Sequence, residues 1–372
     1  MAATPRAIRH SLTFRAGTRA RRLIAREGLD PARIRVIPAA SGGPKWLGLL
    51  QLDRAILSAW FAGETARFDR PIHLIGSSIG AWRMACYAQA DPLGAFERFA
   101  AYYLDYRFEG VATPEVFHAD WRETLGIILD DNACNEILSH PYFRTNIMAV
   151  RSRGLTAADR RGVQTLGLAA MGLANLVTRR ALRLGFERAL FHDPRDCAPF
   201  FEISDFPVHR MPLGGTNLAD VLMATATIPV YMHAVRHIAG APAGAYRDGG
   251  LIDYHFDIPF LPGNSAANEE NGIAFYPHFR DRIVPGWFDK KLPWRKAKRE
   301  NIQDVLLVAP SAEFLATLPY GKIPDRGDFT ALDNDTRLAY WRRVVAETER
   351  MADEFLEILE SGDIAGRLEE FE

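Results

Sequence analysis

One junction constrains the fold of this chain more than any other. The short apolar run Ile72 to Ile75 breaks at Gly76-Ser77-Ser78-Ile79-Gly80, and a helix-compatible segment, Ala81 to Ala90, begins at once. A strand that becomes a helix within so few residues must hold its central residue, Ser78, in a strained backbone conformation. Side chains two residues before and after it would collide, which accounts for Gly76 and Gly80. The Gly-x-Ser-x-Gly spelling has little specificity by itself: with Gly at about 7% of residues, roughly one chain in ten of this length carries it by chance. Its weight depends on what the rest of the chain sets beside it.

Upstream, Ile34 to Ile37 reads as a strand that runs into Pro38-Ala-Ala-Ser-Gly-Gly-Pro-Lys-Trp46. A helical pattern on Leu47, Leu50, Leu52 and Ile56 follows and ends near Gly63. Pro44 suits the first turn, where its missing N–H costs nothing. A Gly-Gly turn opening a helix aims backbone N–H groups at whatever lies in front of it and favours a phosphate or a developing oxyanion there. With Trp46 after Lys45 the spacing is not that of a Walker A loop. A tight strand-to-helix connection without a ligand is the structural alternative. Strand and helix therefore alternate, the pattern of an α/β fold with a parallel sheet and helices on both faces. Such folds place their sites at the carboxyl ends of the strands, where Gly42-Gly43 and Ser78 would meet.

Composition narrows the classes of function. The 372 residues are 48% hydrophobic and 24% charged, enough core for one large α/β domain or two smaller ones. A net charge of -1 lacks the basic excess of a nucleic-acid-binding protein, so no nucleic-acid partner is expected. Cys86, Cys134 and Cys197 are odd in number and far apart; they make neither a disulfide framework nor a zinc ladder and fit a reducing compartment. No His, Cys and carboxylate cluster at ligand spacing calls for a metal, and no cofactor is expected. Met1 to Arg26 is rich in Arg and Ala but has no apolar core of a secretory signal; with no acidic residue before Glu27, a transit peptide is the alternative. No apolar run makes a convincing membrane span, which leaves the cytoplasm as the expected location, with peripheral membrane contact as an addition.

Further along, Leu93 to Tyr106 and Asp120 to Leu138 read as helices and Phe143 to Val150 as a strand. Thr156 to Leu190 reads as mostly helical. Its uncharged part, Gly162 to Thr178, lies between Arg160-Arg161 and Arg179-Arg180. A buried helix pair is one reading; a cap or acyl-binding wall that meets a membrane surface is the other. Phe206 to Met211 reads as a strand, Asn217 to Pro229 as a helix stopped by proline, and Val230 to Ile238 as extended. Asp248 stands just before Gly249-Gly250 in a tight bend, where a carboxylate can be held in a fixed direction. Asp304 to Pro310 reads as a buried strand, and Asp335 to Glu360 as a long amphipathic helix covering the sheet.

Taken in order, these parts resemble the patatin-like phospholipase family. Its Gly-rich loop corresponds to Ser41-Gly42-Gly43-Pro44-Lys45, its elbow to Gly76-Ser77-Ser78-Ile79-Gly80, and its aspartate turn to Asp248-Gly249-Gly250. Ala224-Thr-Ala-Thr-Ile-Pro229 is similar to the Ala-Ser-x-Ala-x-Pro that shortly precedes that turn. The resemblance implies a three-layer αβα fold with a mostly parallel central sheet, in a single domain over 1–372. Its motif-bearing core would span about 34–310, with a mainly helical insertion at about 91–205 and a C-terminal helical segment at about 335–372.

The resemblance also implies a lipid acyl hydrolase, phospholipase A-type or a non-specific carboxylic ester hydrolase, working through an acyl-enzyme. Ser78 would be its nucleophile and Asp248 its general base, a dyad without histidine. The N–H groups of Gly42 and Gly43 would form the oxyanion hole, with Lys45, Gly76, Gly80, Gly249 and Gly250 in support. The chain departs from the family pattern at Ser41, the first loop position, and at Trp46, which replaces the usual Gly and is expected to reshape the pocket.

Rival readings stay open at the level of sequence. A Ser-His-Asp triad could use His255 or His278. An acyltransferase, or a lipid-binding protein with little turnover, could use the same scaffold. Residues 285–299 interleave Trp287, Phe288 and Trp294 with a basic cluster; they read either as a solvated loop or as a contact with an anionic membrane.

Overall fold

The structure is a computed structural model and describes residues 10–62, 68–107, 113–263 and 272–371. Ten strands among the described residues join one sheet: β1 (Leu12–Ala16), β2 (Ile34–Ala39), β3 (Ile72–Ser77), β4 (Phe143–Ser152), β5 (Phe186–His192), β6 (Val208–Pro212), β7 (Ala245–Arg247), β8 (Ile273–Pro277), β9 (Val305–Pro310) and β10 (Leu368–Glu369). Their order is β10-β1-β9-β8-β2-β3-β4-β5-β6, and β7 pairs with β4 off this path. The five central strands, β9-β8-β2-β3-β4, are mutually parallel. β1 runs antiparallel to β9, and β5 antiparallel to β4.

Every residue of β3, β8 and β9 is buried. Since neighbouring side chains of a strand point to opposite faces, both faces of the sheet are covered, the three-layer arrangement expected for parallel strands. The main hydrophobic cluster runs from Leu12 on β1 to Leu368 on β10. A smaller one, Val150, Leu182, Phe186, Phe206, Leu251 and Ile252, lies beside the aspartate turn.

The register sets the site. β2 and β3 pair so that Ala39 lies abreast of Gly76, and β3 pairs with β4 so that Ser77 lies abreast of Met148. The Gly-rich loop after β2 and the elbow after β3 therefore leave the sheet side by side at its carboxyl edge. The helix Ile79–Tyr87, which starts at the elbow, is tied to the helix Leu50–Ala55 by a buried network. There Arg83 clasps the Asp53 carboxylate with two N–H groups, Nε at 2.6 Å, and Tyr87 donates its hydroxyl to the same group at 2.7 Å.

Several segments differ from the sequence expectation. Thr156 to Leu190 is not helical throughout: the helix Arg161–Val177 ends before Gly185, and Phe186–His192 is β5. The charges of Glu187 and Arg188 hide that strand. Arg188 is nevertheless fully buried, because Asp253 accepts from its Nε and Nη2 at 2.7 Å each and Asp205 accepts from Nη1. Val230 to Ile238 is not a strand; only Val235 forms a bridge, to Tyr246, and Val230 sits at φ 73° after Pro229.

The expected helix over Asp120 to Leu138 is two helices, Pro114–Ile128 and Ala133–Ser139, and the C-terminal one divides at Thr348 into Asn334–Glu347 and Glu349–Ser361. At the amino end, Leu12–Ala16 precedes the helix Thr18–Glu27 as a strand. Gly63, near which the helical pattern of Leu47 to Ile56 is expected to end, lies outside the described residues, as do the first nine residues of the Arg- and Ala-rich stretch. No helix among the described residues is long and apolar enough to cross a membrane.

Candidate active site

Ser78 sits at φ 55° and ψ -132°, a conformation that costs energy in any residue with a side chain. The glycines on either side permit it. A Cβ at Gly76 would lie 2.3 Å from the Ala81 Cα, and one at Gly80 would lie 2.1 Å from the Ala39 carbonyl oxygen, so neither position can take a side chain while the turn keeps its shape. The Ser78 N–H donates to Thr225 Oγ1 at 2.8 Å, and the Thr225 hydroxyl donates to the Met148 carbonyl at 2.5 Å. That chain of bonds fixes the elbow to β4. Thr225 occupies the Ser position of the Ala-Ser-x-Ala-x-Pro resemblance, the only signal in the sequence that pointed to it.

The Ser78 hydroxyl donates to Asp248 Oδ2 at 2.8 Å, across 170 residues of chain. The other carboxylate oxygen, Oδ1, accepts the Gly250 N–H at 2.8 Å, so the bend of Asp248-Gly249-Gly250 aims the group. Gly249 lies tight against the Met148 carbonyl, where a Cβ would come within 2.2 Å. Burial raises the Asp248 pKa above the ordinary aspartate value; the positive charge of Arg326 and the hydrogen bonds from Ser78 and Gly250 oppose that rise.

Gly42 lines the cavity beside Ser78, and Gly43 adjoins it at φ 58°. Neither N–H has a hydrogen-bond partner among the described residues. Ser41, which departs from the family pattern, turns its hydroxyl to Ser77, donating to its Oγ at 3.0 Å and leaving Ser78 untouched. Trp46 does not shape the cavity as expected. It is buried and stacks on Phe99 with ring centroids 4.2 Å apart, a core residue behind the loop. Lys45 lines the cavity, its Nζ 3.9 Å from Asp325 Oδ2.

The histidines proposed for a triad lie elsewhere. His255 and His278 are buried with ring centroids 4.3 Å apart; His255 Nδ1 accepts the Val284 N–H, and His278 Nδ1 the Arg280 N–H. Neither lines the cavity, and among the described residues neither ring is hydrogen-bonded to Ser78 or Asp248. Burial holds His278 at about 3, so it is neutral at physiological pH. Among the described residues no group of three His, Cys, Asp or Glu side chains is placed to hold a metal ion.

The cavity in front of Ser78 has a volume of about 810 Å³. Its apolar lining includes Leu168, Ala169, Ile228, Pro229, Leu251 and Phe288; its charged lining comprises Lys45, Lys290, Asp325 and Arg326 besides Asp248. Arg326 and Lys290 were not singled out from the sequence. Lys290 reads as one cation of a basic loop, and Arg326 as an ordinary turn residue far down the chain from the elbow.

The helix Arg161–Val177 forms one wall, with Leu168 and Met171 packed on the smaller hydrophobic cluster and other apolar residues turned outward. Its buried residues are Gln164, Gly167 and Asn175. Leu166, Leu173, Leu176 and Val177 are 67%, 68%, 52% and 86% exposed. Gln164 Oε1 accepts the Val230 N–H, and Asn175 Nδ2 donates to Asp289 Oδ1 at 2.8 Å, so polar groups anchor the helix while apolar ones face out. The buried helix pair read from the sequence is thus overturned: hydropathy alone does not tell which face of an uncharged helix turns inward. Within 285–299, Trp287 and Trp294 are exposed, whereas Phe288 packs against Phe186, and Lys290 faces the cavity.

Fold and site together define a class, that of mostly parallel α/β proteins with a serine at a strand-to-helix elbow beside a cavity. The family model described as Patatin-like phospholipase matches residues 47–256, more than half of the chain, and the chain belongs to that family. The match takes in the elbow and the aspartate turn and begins just after the Gly-rich loop. No curated protein matches the chain. Lipid acyl hydrolysis is the general activity that the family supports here.

Proposed function

We propose that Ser78 and Asp248 are a catalytic dyad that hydrolyses acyl esters of lipids through an acyl-enzyme. The observation that carries this reading is the 2.8 Å hydrogen bond from the hydroxyl at the strained elbow to a buried carboxylate at the floor of a largely apolar cavity. Asp248 Oδ2 takes the Ser78 proton as Oγ forms a bond to the ester carbonyl carbon. The tetrahedral oxyanion lies before the N–H groups of Gly42 and Gly43, where each donor contributes about 3 kcal/mol in comparable sites. Collapse breaks the ester C–O bond, and the leaving alcohol takes the proton from Asp248. Water then attacks the acyl-enzyme, giving a proton to Asp248; as the acyl C–Oγ bond breaks, Asp248 returns that proton to Ser78 Oγ and the fatty acid leaves. The raised Asp248 pKa favours this work, because a more basic carboxylate is a better proton acceptor.

The test is hydrolysis of a short p-nitrophenyl ester by wild type, Ser78→Ala and Asp248→Asn. A loss of about a thousandfold or more in kcat/KM for both variants is expected. A wild-type rate no higher than that of Ser78→Ala would mean a lipid-binding protein instead. Product analysis with an added alcohol separates hydrolysis from acyl transfer.

The outward-facing apolar residues of this helix support contact with a lipid surface. Exposed leucines flank the wall of the cavity, and exposed arginines, Arg160, Arg161, Arg180 and Arg183, stand at both of its ends, where anionic headgroups would lie. Trp287 and Trp294, with the basic residues of 285–299, extend that face.

A further inference from the structure

Three cations crowd the reacting groups. Arg326 Nη2 lies 4.0 Å from Asp248 Oδ2, too far for a hydrogen bond, and its Nε lies against Gly43, 2.9 Å from where a Cβ would stand. Lys290 Nζ sits 3.9 Å above the centroid of the Tyr254 ring, with no carboxylate at ion-pair distance among the described residues. Lys45 faces only Asp325 at 3.9 Å, and that carboxylate already accepts from Lys322 at 3.0 Å. The three cations of the lining thus face two carboxylates, Asp248 and Asp325, and Lys290 has neither at ion-pair distance. Cations that outnumber the anions of a half-buried cavity repel one another more than they would in water. Burial, and after it the charge of Arg326, holds Lys290 at about 7. Lys45 is also lowered, first by burial.

The arrangement is one that a bound anion would complete. All three side chains line the same cavity as Ser78, and all three lie outside the family-matched segment 47–256.

We propose that Lys45, Lys290 and Arg326 form an oxyanion subsite, so that the preferred substrate is an acyl ester whose head carries a net negative group, a phosphomonoester or a carboxylate. The proposal rests on Ser78 as nucleophile, since the anion is what seats the ester before that serine. An uncharged head would make no charge-assisted hydrogen bond with these cations, and a zwitterionic head would bring a second positive charge to them.

Two arms test it. In turnover, hexanoylglycerol phosphate and uncharged hexanoylglycerol are compared as soluble substrates. The kcat/KM ratio should exceed about tenfold in wild type, through KM, and fall about tenfold in Arg326→Gln and in Lys290→Met, with Lys290→Arg restoring it. In binding, Ser78→Ala protein is titrated with the same two esters, so failure of the hydrolase reading cannot mask the result. The phosphate ester should bind more tightly, and adding Arg326→Gln should abolish the difference. Displacement by inorganic phosphate would extend the subsite to free oxyanions; preference without displacement would restrict it to the headgroup. Equal binding of the two esters by Ser78→Ala protein, or a preference untouched by both substitutions, overturns the proposal.

Discussion

At the scale of single residues, the site is governed by how one carboxylate is held. Asp248 must be ionised to accept the Ser78 proton, and burial makes ionisation harder while Arg326 makes it easier. The acid limb of kcat/KM for an uncharged soluble ester is therefore expected above the ordinary aspartate value of about 3.9. Arg326→Gln removes the strongest of the opposing influences, so the limb should move to higher pH. A pH profile of both proteins checks this; a limb that stays in place or moves to lower pH contradicts it. Much of the site was legible at this scale, because glycine is demanded where a Cβ would strike backbone. Gly76, Gly80 and the Asp248 bend announce themselves through that constraint. Arg326 does not: a guanidinium that reaches the site from a distant turn obeys no local rule. Trp46 turns into the core against Phe99 for a related reason: its place in sequence beside Lys45 does not determine which way its ring turns.

At the scale of elements, the helix Arg161–Val177 is the one whose sequence misleads. Its fully buried positions include Gln164 and Asn175, which find hydrogen-bond partners, while Leu166, Leu173 and Leu176 turn outward. Leu173→Glu and Val177→Glu are expected to lower the ratio of vesicle-borne to monomeric ester hydrolysis by about tenfold, since an interfacial helix holds by its apolar area. Sedimentation with vesicles rich in anionic lipid provides the second measure. Binding should weaken with added salt and with charge reversal of Lys291, Lys296 and Lys298, and salt-insensitive binding would remove the electrostatic part. β2, β3 and β9 are readable as largely apolar runs that meet a glycine or proline at or near their carboxyl ends. β5 is not, because Arg188 is neutralised by Asp253 and Asp205 from other parts of the chain, a compensation no window of sequence contains.

At the scale of the molecule, the alternation of strands and helices around the first two motifs sufficed for the α/β class, but not for the sheet order. β8 lies between β2 and β9, and β2 has β3 as its other neighbour. The family-matched segment therefore holds β3 to β7 without the strand that flanks β3 on one side. A fragment of residues 47–256 is expected to lack cooperative unfolding in urea, whereas the whole chain should show it; a sigmoidal transition in the fragment would show that the outer strands are dispensable.

The position of β8 also has a consequence for how the chain reaches its fold. β2 is made early, yet its second partner, Ile273–Pro277, leaves the ribosome more than two hundred residues later. At about 5–20 residues per second, the central strand waits with an open edge for on the order of ten seconds or more. Buried on its outer side by nothing in that interval, it is a template for wrong pairing with another nascent chain. The Gly-rich loop that β2 carries cannot settle before that edge closes, so the site is completed late, and aggregation during synthesis competes with it.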